Sequence, residues 1–316
     1  MKSSPTSPTI LSLLDFQNLN SAQIFSFIQT ALDLKKRQAQ AGRFLEKQTI
    51  LGTGALLFFE PSTRTRFSFE TACIRAGVAP LIMDSLAGSS LEKGESIEDT
   101  ILNLEAMGPL FFVVRCDDQT ELREISEKLK TPVINAGWGK KSHPTQALLD
   151  ATTLFERWGD LRDKNILFVG DVLHSRVFSS HVELSKILGY RLGYCAPTEF
   201  GLGEFESLKA GIKSFDQIRH ALEWADAVIT LRVQKERHDS ISGATNEDYR
   251  QRYGLNLERA KLLKPSAVIL HPGPINYGVE IEKNLLKDSR SVILQLVENG
   301  VFIREVLIKS IISGEI

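Results

Sequence analysis

Short apolar runs bounded by turn residues alternate along this chain with segments whose apolar residues recur at helical spacing. An unbroken apolar run of this length reads as a strand buried on both faces. Such strands belong to parallel sheets whose crossover connections are helices. In the first half, Ala55-Leu56-Leu57-Phe58-Phe59 is one such run, and helical spacing follows through Phe69, Ala72, Cys73 and Ala76 until Gly77. Leu110-Phe111-Phe112-Val113-Val114 and Pro132-Val133-Ile134 predict further strands. In the second half, Asn165 to Gly170, Ala227 to Leu231 and Ala267 to Leu270 repeat the pattern. The expectation is an α/β chain of two doubly wound domains, each with a mainly parallel sheet flanked by helices. A chain of 316 residues is long for a single core. The expected division is 1–150 and 151–289. Gly159-Asp160 is a natural hinge, and the apolar segment of about 290–316 docks back on the first domain.

A formal net charge of −1, with 24% charged and 42% hydrophobic residues, gives no electrostatic reason to expect a nucleic acid or a membrane surface as partner. No apolar run approaches the roughly 18–20 residues of a spanning helix. The start, MKSSPTSPTILSLLDF, makes a poor signal peptide. Cys73, Cys116 and Cys195 are odd in number and in no CxxC spacing, so they read as buried thiols, with neither disulfide nor zinc site. A soluble, cytoplasmic protein without a metal is expected.

The sharpest local signal is Phe59-Glu60-Pro61-Ser62-Thr63-Arg64-Thr65-Arg66. A strand ends, Pro61 and Ser62 turn the chain, and a helix begins. Its free N–H groups and the positive end of its dipole suit an anion. Three hydroxyls and two guanidiniums within five residues can donate to several phosphate oxygens at once. The plainer alternative is an N-cap at Ser62 with the arginines on a solvated face.

FEPSTRTR resembles the carbamoyl-phosphate motif of the aspartate and ornithine carbamoyltransferases, and further blocks follow in that family's order. Ser89-Ser90-Leu91-Glu92-Lys93-Gly94-Glu95 is similar to the loop that one subunit lends to its neighbour's active site. Val114-Arg115, Asn135-Ala136-Gly137, His143-Pro144-Thr145-Gln146 through Asp150, Gly170-Asp171, Ser175-Arg176, Arg232 to Arg237 and His271-Pro272-Gly273-Pro274 continue the match. The resemblance runs from about residue 58 to 281. It implies a carbamoyl-phosphate-binding domain followed by an acceptor-binding domain, and no cofactor.

HPxQ and STRTR are common to the family, so the acceptor is read from the second domain. HPTQ at 143–146, Arg232-Val233-Gln234 and HPGP at 271–274 resemble the aspartate type. Two separate guanidiniums, Arg176 and Arg232, also suit the two carboxylates of aspartate. By resemblance, Ser62, Thr63, Arg64 and Arg115 hold the phosphate, completed by Ser89 and Lys93 from a neighbouring chain. Arg115, Thr65 and His143 donate to the carbonyl oxygen. Gln146, with the backbone carbonyls of Gly273 and Pro274, receives the carbamoyl NH₂. Arg176 takes the α-carboxylate, and Arg232, Gln234 and Lys93 take the β-carboxylate. The protein's work is to bring two anions together and stabilise a developing oxyanion; no general base is assigned.

The shared loop implies a homotrimer. The chain shows no nucleotide-binding or zinc domain, so allosteric control would call for a separate regulatory chain. Four positions depart from the family pattern: Cys116 stands after Arg115 in place of His, Trp138 in an Asp slot, Val177 for a Thr, and Tyr277 for an Arg. These keep two alternatives open. One is a weakened structural homologue that scaffolds a partner such as dihydroorotase, and the other is a carbamoyltransferase for another amine.

Overall fold

The computed structural model of the chain describes residues 12–41, 49–84, 89–232 and 246–315. The chain divides into two compact units, Met1–Thr152 with Val297–Ile316, and Thr153–Leu296. The divisions fall within the long helices Pro144–Trp158 and Ile293–Ser313.

In the first unit, α1 (Ser21–Ala41) precedes β1 (Gly52–Phe58), α2 (Arg64–Arg75), β2 (Val78–Met83), α3 (Ile97–Glu105), β3 (Phe112–Cys116), α4 (Leu122–Lys128), β4 (Val133–Trp138) and α5 (Pro144–Trp158). The sheet is parallel throughout, in the order β2-β1-β3-β4. Strands β1, β3 and β4 are apolar because both faces are covered: Leu56, Phe112, Val113, Val133 and Ile134 are buried without remainder. Outside β4, Leu13 continues the pairing in parallel, donating to Val133 and accepting from Asn135 through backbone groups.

The second unit carries β5 (Asn165–Val169), α6 (Arg176–Leu188), β6 (Arg191–Cys195), α7 (Glu204–Ala210), β7 (Lys213–Ser214), α8 (Ile218–Trp224), β8 (Ala227–Thr230), α9 (Asn246–Tyr253), α10 (Leu257–Ala260) and β9 (Val268–Leu270). Its sheet is likewise parallel, in the order β7-β6-β5-β8-β9. One apolar cluster gathers Leu167, Val169, Val228 and Ile269 from the strands with Leu222 and Tyr249 from the helices. The last helix, α11 (Ile293–Ser313), ends the chain.

Each sheet reverses direction once. After β2 the chain crosses β1 to lay β3 on its other side, and after β7 it crosses β5 to lay β8 beyond it. At such a reversal the two neighbouring crossovers leave toward opposite faces, so a crevice opens beyond the carboxyl ends of the strands. Those ends are in register: Phe58 lies opposite Arg115, and Val169 opposite Thr230.

Two strands outrun the apolar runs that predict them. β3 continues to Cys116 through Arg115, and β4 continues to Trp138 through Asn135-Ala136-Gly137. An apolar-run rule stops at the first polar residue, whereas ladder pairing uses only backbone groups. The extensions therefore carry polar residues to the ends of the strands.

Candidate active site

In the first unit, α2 begins where β1 hands the chain to Glu60-Pro61-Ser62. Its N-cap is Thr63 rather than Ser62, and Thr63 makes no side-chain capping bond. There is no acidic residue in the first turn of α2, so no side-chain anion offsets the dipole there. Thr65 is buried, Ser62 half-buried, and Thr63 and Arg64 exposed. Arg66 is committed elsewhere. It pairs with Glu70 at 3.1 Å and with Asp84, and stacks over Phe67.

Arg115, from the neighbouring strand, brings its Nε within 3.4 Å of Glu60 Oε2. The backbone N–H of Phe59 donates to the Arg115 carbonyl at 2.9 Å, which fixes the two strand ends together. This is how a charged side chain, 15% exposed, comes to stand at the reversal point beside the 59–65 turn.

His143 and Gln146 enter from β4 through a tight turn onto α5. His143 is buried, with Nδ1 at 3.5 Å from Thr145 Oγ1. Gln146, also buried, donates from Nε2 to Asp150 Oδ1 at 3.0 Å, one helical turn along. The turn is organised by a residue given no role from sequence. Asn135 is fully buried, donating from Nδ2 to the Leu14 carbonyl at 2.8 Å and to Ser142 Oγ at 2.7 Å, and accepting from Gly137 N–H at 2.7 Å. Its sequence signals are a polar residue continuing a buried strand and a place in the Asn135-Ala136-Gly137 block.

Ser89 and Lys93 lie on a different stretch. Ser89 precedes a short 3₁₀ turn, Ser90–Lys93, which ends on Gly94 at φ 91°. Lys93 is exposed. Glu95 holds the base of the turn, accepting from Thr100 Oγ1 and Asn103 Nδ2. The segment follows β2, the edge strand, rather than the reversal point between β1 and β3.

In the second unit, Gly170 leaves β5 at φ 119°, in a space where a Cβ would meet the Tyr249 hydroxyl at 2.8 Å. Only glycine fits this turn. Asp171 then accepts from the backbone and Nδ1 of His174, both at 3.0 Å, and Ser175 caps α6 by accepting from Phe178 N–H. Arg176 is the first residue of that helix and is half-buried. Arg232 follows β8 by two residues, after Leu231 donates to the Val169 carbonyl at 2.8 Å. Both arginines thus belong to the reversal between β5 and β8. Gln234 lies outside the described residues.

The Gly273-Pro274 peptide is cis. Gly273 N–H donates to His271 Nδ1 at 2.7 Å, so the ring proton sits on Nε2, which faces Glu280 Oε1 at 3.2 Å. Glu280 Oε1 also accepts from the Asn276 N–H. This fully buried pair fixes the segment that carries the two carbonyls.

The departures from the family pattern take definite places. Trp138 is buried, its Nε1 donating to the Thr120 carbonyl at 2.8 Å, and Cys116 is buried opposite it in the ladder. Val177 is buried, and Tyr277 is about half exposed. Among the described residues, no group of three His, Cys, Asp or Glu stands where it could hold a metal ion, and no helix is long and apolar enough to cross a membrane.

Comparison with known proteins accounts for nearly the whole chain. Residues 11–156 match the aspartate/ornithine carbamoyltransferase carbamoyl-P binding domain, and residues 162–311 match the corresponding Asp/Orn binding domain. The aspartate carbamoyltransferase catalytic subunit of Thermus aquaticus is 41% identical over 307 residues, covering 96% of this chain and 98% of that protein. Among solved structures, aspartate transcarbamoylase of Trypanosoma cruzi in complex with carbamoyl phosphate and aspartate aligns at a TM-score of 0.83. That match has 26% identity and covers 96% of this chain and 97% of the other. Ornithine carbamoyltransferase from Thermus thermophilus aligns at 0.80 with 25% identity, covering 97% and 100%. The fold is therefore common to enzymes with different acceptors.

Proposed function

Since the chain belongs to the aspartate/ornithine carbamoyltransferase family, we propose that it transfers the carbamoyl group of carbamoyl phosphate to the amine of L-aspartate. The observation that carries this reading is the pair of basic reversal points, Arg64 and Arg115 in one unit and Arg176 and Arg232 in the other. A relative named for aspartate, at 41% identity over nearly the full length, favours that acceptor over ornithine.

On this reading Ser62, Thr63, Arg64 and Arg115 grip the phosphate, where neutral donors and guanidiniums together match its charge. Thr65, Arg115 and His143 donate to the carbonyl oxygen. Gln146 Oε1 and the carbonyls of Gly273 and Pro274 accept from the carbamoyl NH₂. Arg176 holds the α-carboxylate of aspartate, while Arg232, Gln234 and Lys93 hold the β-carboxylate. The neutral amine attacks the carbonyl carbon, forming a C–N bond and a tetrahedral oxyanion. Collapse of that intermediate breaks the C–O bond to phosphate, which departs with its electron pair and takes up the proton that the amine gives up. Donors fixed before the reaction stabilise the oxyanion without reorganising.

Ser89 and Lys93 reach the site from a neighbouring copy in a homotrimer. Supporting self-association, Phe67 and Ile74 on α2, and Leu81 and Ile82 on the edge strand β2, are between 44% and 53% exposed. An uncovered apolar edge of this kind is a surface that partners normally bury. The same reading places the reaction in the cytoplasm, in pyrimidine biosynthesis, with any regulatory chain or dihydroorotase as a separate partner.

The deciding experiment supplies carbamoyl phosphate with aspartate or ornithine in parallel and measures the carbamoylated product. Carbamoyl aspartate alone is the expected product. Carbamoyl ornithine would refute the acceptor, and no product from either would leave the scaffolding homologue or a transferase for another amine.

A further inference from the structure

The amide of Gln146 does not choose its orientation alone. Asp150 is 1% exposed and, as a carboxylate, can only accept. Gln146 must therefore turn its NH₂ toward Asp150, as it does at 3.0 Å, and present Oε1 at the other end. A buried carboxylate keeps its charge only with a counter-charge nearby. Arg304, from α11, is the cation that Asp150 attracts.

Arg304 is 3% exposed and donates from Nη1 to Ser68 Oγ at 2.7 Å, with Nη2 at 3.5 Å from Thr145 Oγ1. Its guanidinium stacks over Phe69 at 5.0 Å. Burial pushes it down to about 9, against the opposing pull of Asp150, so it remains a cation at neutral pH. The helix is cut to fit it: a Cβ on Gly300 would meet Arg304 Nη1 at 2.8 Å and the Leu149 side chain at 3.2 Å. Through these contacts one side chain of the last helix touches α2, behind the 62–65 turn, and α5, behind His143 and Gln146.

We infer that Asp150 and Arg304 are positioning residues that fix the Gln146 amide with its oxygen toward the ligand, and so make the site select an acyl phosphate bearing NH₂ over one bearing CH₃. With Oε1 presented, a carbamoyl NH₂ gains an acceptor, whereas an acetyl methyl leaves that oxygen unpaired. Removing the acceptor-only partner lets the Gln146 amide turn either way, and the discrimination falls. This rests on the assignment of Gln146 to the carbamoyl group, so the test uses binding rather than turnover.

Phosphonoacetamide and acetonylphosphonate differ only in NH₂ against CH₃, and neither can transfer its acyl group. Calorimetry on the wild-type protein is expected to show a preference of about 10- to 100-fold for phosphonoacetamide. In Asp150→Asn that preference falls to within about threefold, through weaker amide binding, while affinity for inorganic phosphate changes by less than about twofold. Arg304→Lys, which keeps the cation, retains most of the preference, and the neutral Arg304→Met does not. A wild type that binds both phosphonates equally, or binds neither, overturns the inference. So does a folded Asp150→Asn with the preference intact. An Asp150→Asn that yields no folded protein also overturns it, assigning the pair to stability instead. If the preference behaves as stated but no carbamoyl aspartate forms, the transfer reading fails and the positioning role stands.

Discussion

Asn135→Ala tests whether the strand end behind His143 is held by one side chain. The amide makes three short hydrogen bonds in a fully buried place, to Leu14, Ser142 and Gly137. Their loss is unequal. Ser142 Oγ still donates to the Leu14 carbonyl at 3.0 Å, so those two groups keep each other. Gly137 N–H loses its acceptor, and a buried orphan donor costs about 1–3 kcal/mol. The space left by the amide adds roughly 1 kcal/mol. The sum is about 2–4 kcal/mol, or roughly 5–15 °C in the melting temperature of a unit this size. Differential scanning calorimetry reads it directly. Asn135→Asp sharpens the test. It keeps an acceptor for Gly137 but turns an oxygen toward the Leu14 carbonyl, so despite its matching shape it is expected to do no better than alanine at neutral pH. An alanine variant melting within about 1 °C of wild type would refute the reasoning, as would an aspartate variant as stable as wild type.

Arg232→Ala is expected to raise the KM for aspartate and lower kcat, with a loss of roughly 2–5 kcal/mol in kcat/KM and little change in phosphate affinity; steady-state kinetics in both substrates checks it. Burial pushes the thiols of Cys73 and Cys195 up to about 12. Both are therefore protonated at pH 8 and inert to a thiol-specific reagent until the protein is unfolded; fast labelling of either in the native protein would contradict this. Lys93→Ala and His143→Ala are each expected to be nearly inactive, yet to regain activity when dissociated together and reassembled, because mixed trimers unite an intact Lys93 with an intact His143. A mixture that stays dead despite verified subunit exchange refutes the shared site.

The sheets were legible because burial on both faces leaves an unbroken apolar run, as in Ala55 to Phe59 or Ala227 to Leu231. Strand order was not legible, since nothing in the apolar run of β3 says that it lies beside β1 rather than β2. The phosphate turn stood out through its density of donors. The groups behind the site did not. Asn135 looks like the end of a strand, Asp150 like any acidic residue about two turns into a helix, and Arg304 like a solvated residue in an apolar segment. Asn135 and Arg304 act through partners far away in sequence: Asn135 and Leu14 are 121 positions apart, and Arg304 and Ser68 are 236 apart. Local patterns carry no record of such pairs.

The departures from the family pattern follow the same division between local chemistry and distant support. Trp138 in an Asp slot looks, in sequence, like a charge lost beside the substrate. In the fold its ring belongs to the core of the first unit, packed with Phe112, Val114 and Leu122. Its N–H holds the Thr120 carbonyl, and Lys141 lies over the ring at 4.2 Å. Asp117 grips the same turn from inside, accepting from the backbone and hydroxyl of Thr120. The indole thus anchors the 117–120 turn to β4, the strand that ends in the His143 turn. In the second unit Tyr277 replaces a charge on an exposed position, while the neighbouring carbonyls of Gly273 and Pro274 are fixed from beneath by His271 and Glu280. A long-range surface charge is screened within about 8–10 Å at physiological ionic strength. Hydrogen bonds inside the fold are not. Both substitutions therefore leave standing the buried contacts on which the candidate ligands depend.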